Sequence, residues 1–182
     1  MNIIFKPFAV ILLSLLVTGC ANNVHKYRVD STLVHQLKPY NLKMVKLQSV
    51  TMPKNDDNHG TMCRLHGMIS LPNKMTYSQY IEDALQRTLI SLNATKETPC
   101  ATHDLKVALT EVTLTTLSGK WTIVANVTVD NHAPIKLQTI AKHDVSFLAP
   151  VACANASKSF DEAVEQFIKE MFMNPQIKAA LQ

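Results

Sequence analysis

The sequence predicts an α+β domain, an antiparallel or mixed sheet of four to five strands with two amphipathic helices packed on one face. Three observations predict it. Tyr80, Ile81, Ala84, Leu85, Thr88, Leu89 and Leu92 recur at helical spacing and share one face. Trp121, Ile123, Ala125, Val127 and Val129 recur at every second residue, the pattern of a strand with one buried side. Phe160, Ala163, Val164, Phe167, Ile168, Met171 and Phe172 then repeat the helical pattern. Each stripe must be covered, and helices laid on one face of a sheet cover all three at once.

The remaining elements follow from punctuation and phase. Prolines at 39, 53, 72, 99, 134, 150 and 175 fall between candidate elements, because proline cannot donate to a helix or ladder interior. Leu42 to Met52 reads as a first strand, Lys54 to Gly60 as a polar loop, and Thr61 to Leu71 as a second strand. Thr76-Tyr77-Ser78-Gln79 has the form of a capping box opening the first helix. Leu105, Val107 and Leu109 alternate, and the apolar phase then moves to Val112 and Leu114, which predicts a bulge near Thr110–Glu111. Ser118-Gly119 and Asp130-Asn131-His132 make turns. Ile135, Leu137, Thr139, Ala141, His143, Val145 and Phe147 are expected on the inner face of a last strand. Ser159-Phe160-Asp161-Glu162 reads as a second capping box, and Ile177 to Leu181 as a closing turn after Asn174-Pro175. The other sheet face, rich in Thr, Lys and Asn, is expected to be wet. Sheet order is not legible.

The chain has 182 residues and a net charge of +4, enough for one domain with a core and too short for two comfortable ones. The excess charge is scattered, with no basic stripe interleaved with aromatics, so nucleic acid is not an expected partner. Lys6 and the apolar run from Phe8 to Val17 have the layout of a secretory signal peptide. Its end, Leu16-Val17-Thr18-Gly19-Cys20, resembles the lipobox of bacterial lipoproteins, in which the cysteine thiol receives a diacylglyceryl group before cleavage. That resemblance implies a signal peptide at 1–19 and a lipidated Cys20; the polar, aperiodic stretch that follows reads as a tether over 20–40, ahead of a single domain over 41–182. The resemblance also implies a periplasm-facing protein held to the membrane by its N-terminal lipid. Asp after the lipidated cysteine marks inner-membrane retention in such lipoproteins, and Ala21 in that place points to the outer membrane.

Little in the chain carries catalytic chemistry. After the leader the glycines are Gly60, Gly67 and Gly119, too few and too far apart for a phosphate cradle, and Gly-x-Ser-x-Gly is missing. His59, Cys63 and His66 are the one cluster of metal-ligand type, but in an extended strand Cys63 and His66 face opposite ways. No metal or cofactor is therefore expected. His143 falls on the inward phase of its strand, and a catalytic imidazole would need a nucleophile and an orienting carboxylate beside it. Asp144 faces the other way, so the expectation is a hydrogen-bonded histidine near the open end of the sheet and no enzyme. Asp56-Asp57 reads as loop, Asp161-Glu162 as a helix N-terminus, and Met44, Met52, Met62 and Met68 as core filling. Cys63, Cys100 and Cys153 allow three single bridges in an oxidising compartment. A strand-helix-strand crossover would bring Cys63 and Cys100 to one end of the sheet, while the long loop around Cys100 leaves it free to go elsewhere.

Cys63-Arg64, Gly67, Ile69, Pro72, Tyr80-Ile81-x-Asp83-Ala84-Leu85, Gly119-x-Trp121 and Ala152-Cys153 resemble, in order and spacing, a group of small bacterial outer-membrane lipoproteins. The resemblance covers about residues 61–182. It implies a compact domain on a lipid anchor and pairs Cys63 with Cys153, leaving Cys100 over. At a coarser level the element order is similar to auxiliary lipoproteins of envelope transport machines. The function expected is a non-enzymatic, lipid-anchored module of the outer membrane that binds another envelope component, with an envelope protein as a candidate partner. The alternative is an accessory subunit of a lipid or lipopolysaccharide transport machine.

Overall fold

Two sheets, where one was expected, organise the chain. The computed structural model describes residues 22–40, 42, 45–92 and 103–181. The larger sheet joins β2 (Val45–Thr51), β5 (His103–Thr115), β6 (Lys120–Val129) and β7 (Ile135–Lys142) in the order β2-β5-β6-β7. β5, β6 and β7 form an antiparallel meander, and β2 lies parallel to β5 at the edge. The smaller sheet joins β1 (Asn22–Asn23), β3 (Gly60–Cys63) and β4 (Gly67–Ser70) in the order β1-β4-β3. The α+β class is as the periodicities require.

The helices are α1 (Ser31–Leu37), α2 (Tyr77–Ser91), α3 (Ala149–Lys158), α4 (Phe160–Met173) and α5 (Pro175–Ala180). α2 lies over β2, α4 lies over β6 and β7, and the two helices touch each other. The capping box of α2 is present: Gln79 N–H donates to Thr76 Oγ1, and Thr76 N–H donates to Gln79 Oε1 at 2.9 Å. Asp57 adds a second cap, accepting from Ser78 N–H at 2.9 Å and from its hydroxyl at 2.6 Å. The loop carboxylate therefore serves the positive end of the helix. The bulge in β5 falls between Leu109 and Glu111, where the apolar phase changes.

Between the helices and the larger sheet, Phe160 is the common partner. Its ring centroid lies 4.7 Å from that of Trp121, 5.3 Å from Tyr80 and 5.7 Å from Tyr77. The Trp121 indole N–H donates to Ala156 O at 2.9 Å, which satisfies the one polar atom the ring brings inside. Leu85, Leu89, Ile123, Phe167, Ile168 and Phe172 fill the rest of the layer with no exposed surface. On the opposite face Lys106, Thr113, Lys136 and Gln138 are exposed to solvent.

Several expectations are corrected. The described stretch after residue 21 is not a tether. Val24, Tyr27, Leu33 and Leu37 are buried, β1 pairs with β4, and α1, capped by Asp30, packs on α4. Tyr80 Oη donates to His25 O at 2.9 Å, and Tyr27 Oη meets Thr88 Oγ1 at 3.4 Å. The thin pattern hid this, because only Leu33 and Leu37 mark the apolar face of a two-turn helix. The folded domain thus begins by Asn22, not at residue 41.

Thr61 to Leu71 is a hairpin and not one strand. Its turn places Arg64 at φ 47° and Leu65 at φ 54°, a backbone region that normally selects Asn or Gly, so no turn signal was visible. The last strand ends at Lys142, and Val145 and Phe147 are exposed where an inner face was expected. The second capping box is not formed: Ser159 has no capping bond and its hydroxyl donates to Ala156 O at 3.1 Å, at the joint between α3 and α4. Pro150 and Pro175 stand in the first turns of α3 and α5, where a missing N–H breaks nothing.

Two outcomes test this core. Leu85→Ala should lower the unfolding free energy by about 2–5 kcal/mol, and Gln86→Ala, on the exposed side, should change it by less than about 0.5 kcal/mol, both read from denaturant curves. The second is alkaline. Burial pushes the phenols of Tyr27 and Tyr77 from 10.0 up to about 12, and that of Tyr80 higher in the same direction. Groups raised in the folded state contribute fully below the unfolded pKa and lose that contribution as pH rises through the folded one. Stability should therefore hold up to about pH 10 and fall between about pH 10 and 12. Phenolate absorbance from Tyr27 and Tyr77 should appear together with unfolding. Phenolate signal from both residues at pH 10 in folded protein would contradict their burial.

Candidate interaction site at the disulfide-bound end

The last residue of β3 begins the site. Cys63 and Cys153 are fully buried and joined, with S–S 2.03 Å and Cα–Cα 5.8 Å. The bond ties the smaller sheet to α3 across a sequence separation of 90 residues. It is the pairing that the resemblance implied. Cys20 and Cys100 lie outside the described residues.

Arg64 follows directly and reaches across to two other segments. Its Nη1 donates to Ser146 O at 2.6 Å and its Nη2 to Thr116 O at 2.8 Å, while Nε is buried without a partner. The guanidinium thus joins three loops: the β3–β4 turn, the β5–β6 turn and the segment from β7 into α3. Charge-assisted bonds of this type contribute about 1.5–3 kcal/mol each, enough to hold the two left-handed residues, which cost about 1–3 kcal/mol apiece. Arg64 entered the sequence reading only as part of the Cys63-Arg64 pair that carries the resemblance, and that pair gave no signal of this role.

Gly119 completes the junction. It has φ 57°, its carbonyl accepts from His143 N–H at 2.8 Å, and a Cβ there would lie 2.4 Å from both His143 O and Val145 Cγ1. The three loops end in side chains that face water: Leu65 is 94% exposed, Leu117 83% and Phe147 104%. Leu148 and Val151, at the start of α3, are exposed beside them. Leu65, Leu117 and Phe147 each adjoin a residue of the Arg64 junction, so the three loops carry exposed apolar residues at one end of the domain, here called the apolar tip.

The residues considered for chemistry are dispersed. The thiol of Cys63 is consumed in the disulfide, His66 is exposed in the turn, and His59 is exposed and uses its carbonyl to accept from Leu71 N–H at 2.9 Å. Among the described residues no group of three His, Cys, Asp or Glu could hold a metal ion. His143 stands beyond the end of β7, and its Nδ1–H donates to Asp144 O at 2.9 Å. It borders an open depression of about 290 Å³ with Lys142, Asp144, Asn155, Lys158 and Glu162. Met62 and Met68 pair across the hairpin and are exposed, so they are not core filling; Met52 is half-buried against the core, and Met44 lies outside the described residues.

Asp161 and Glu165 on α4 carry carboxyls raised above the usual range, Asp161 by burial and Glu165 by burial and then by Asp30, Asp161 and Glu162. Glu162, Glu165 and Glu170 line a second open depression, of about 490 Å³, with Asp30 and Lys169. No family model, curated protein or solved structure matches the chain.

The disulfide is open to direct measurement. Proteolysis without reduction should release a peptide pair containing Cys63 and Cys153, and a Cys63–Cys100 pair would overturn the assignment. On the chain-entropy model a closed loop of 90 residues stabilises by about 4–5 kcal/mol. Reduction should lower the denaturant midpoint accordingly.

Proposed function

We propose that this chain is a non-enzymatic lipoprotein of the bacterial outer membrane, anchored through Cys20, whose folded domain binds another envelope component. The observation that carries the reading is Val17-Thr18-Gly19-Cys20 at the end of an apolar run, ahead of a domain that is already folded at Asn22. The buried Cys63–Cys153 bond supports an oxidising compartment. Among the described residues no helix is long and apolar enough to cross a membrane. A hydrolytic role for His143 finds no support, because its Nδ1 is bonded to a backbone carbonyl and no carboxylate orients it.

The transport-accessory alternative needs an apolar groove between helices and sheet. Trp121, Phe160, Phe167 and Phe172 fill that layer, and no observation favours the alternative.

Intact mass and membrane fractionation test the anchor. The wild-type chain should lose residues 1–19, gain the mass of the lipid on Cys20, and fractionate with outer membranes. Cys20→Ala should accumulate as an uncleaved or mislocalised precursor. Equal solubility and equal processing of the two proteins would sink the reading.

A further inference from the structure

Leu65, Leu117, Val145, Phe147, Leu148 and Val151 are exposed apolar residues in or next to the three loops that Arg64 joins at one end of the domain. Singly exposed apolar residues need no explanation, but a gathered set does. The set is held by design-like means: a guanidinium fixes the loops, a disulfide fixes α3 behind them, and Phe147 is given no intramolecular cover at all.

The direction of β1 says what faces this end. β1 is parallel to β4, with Asn22 opposite Ile69 and Asn23 opposite Ser70. Parallel pairing puts the N-terminal side of β1 at the N-terminal side of β4, the Gly67 end, next to the turn that bears Leu65. Cys20 precedes Asn22 by two residues, and two residues span at most about 7 Å. A lipid on Cys20 would have no tether with which to hold the domain away from the bilayer.

We infer that the tip formed by Leu65, Leu117, Val145, Phe147, Leu148 and Val151 seats in the lipid leaflet that receives the anchor, fixing the domain's orientation on the membrane. This rests on the lipid-anchor reading above. Loop backbone enters the apolar zone only when its polar groups have partners, and Arg64 already satisfies the carbonyls of Thr116 and Ser146. Insertion is accordingly shallow, at the depth of the interface. Lys120 and Lys142, paired across β6 and β7 at the base of the tip, stand at the level of anionic headgroups, with Asp144 as the opposing charge nearby.

The test uses the full-length chain, expressed with its leader, purified from membranes and reconstituted into phosphatidylethanolamine–phosphatidylglycerol vesicles with brominated acyl chains. Phe147→Trp and Leu117→Trp place an indole on the tip. Asn131→Trp places one in the β6–β7 turn at the other end of the sheet, beside Asp130, whose carboxylate accepts from Asp104 N–H at 2.7 Å at the start of β5. Wild-type emission supplies the background from buried Trp121.

Emission at positions 147 and 117 should shift to the blue and be quenched by the brominated lipid, while that at 131 should be neither. A lipidated protein in which 147 and 117 stay unquenched overturns the docking and leaves the anchor standing. A blue shift without quenching assigns the tip to a second copy or another protein and also overturns it. Absence of lipid on intact mass removes the anchor reading, and this inference falls with it.

Discussion

The contact of Phe160 with Trp121, Tyr80 and Tyr77 is the constraint on which the rest depends. Phe160 stands at the joint between α3 and α4, Trp121 is in the central strand β6, and the tyrosines are in the first turn of α2. One side chain therefore sets the spacing of both helices over the sheet. Tilted aromatic pairs add about 0.5–1.5 kcal/mol each beyond the area they bury, so the cluster is a substantial share of a small domain's stability. The indole bond to Ala156 O extends the same constraint back into α3.

With α3 held in that way, Cys153 lies against the end of β3, and the disulfide can close without displacing either element. The smaller sheet then has a fixed place beside the larger one. The residues after Cys63 follow from this. Arg64 and Leu65 take left-handed backbone, the guanidinium turns inward to two carbonyls, and Leu65 turns outward to water. Local strain and local exposure thus arise at one turn, and the Arg64 bonds together with the disulfide offset them.

The docked N-terminal segment gives the fold a direction. His25 and Tyr27 are bonded to α2, and Leu33 and Leu37 cover part of α4, so the segment from Asn22 to Leu37 is held in one place on the domain. A polar stretch read as a tether would have left orientation open. Packed, it sets the N-terminal side of β1 toward the Gly67 end of β4, beside the turn that bears Leu65.

Sequence alone determined the elements with long periodic stripes: α2, α4, the meander of β5 and β6, and the bulge at Leu109–Glu111. Repetition over three or more turns, or over many alternate residues, outweighs local noise, and Thr76-Gln79 marked a helix start that formed as expected. What the tertiary structure decided were the short elements and the junctions. β1 is two residues long, α1 seven, and the hairpin turn uses Arg and Leu where Asn or Gly would have signalled it. The tip is of the same kind. Phe147 has the alternation of an inner strand face, yet the strand ends at Lys142: His143 N–H still bonds to Gly119 O in the register of the ladder, but beyond it Arg64 holds the Ser146 carbonyl and draws the chain off the sheet. Period-two spacing reports which residues share a face only while the backbone stays extended, and where it leaves the ladder is set by contacts far away in the chain.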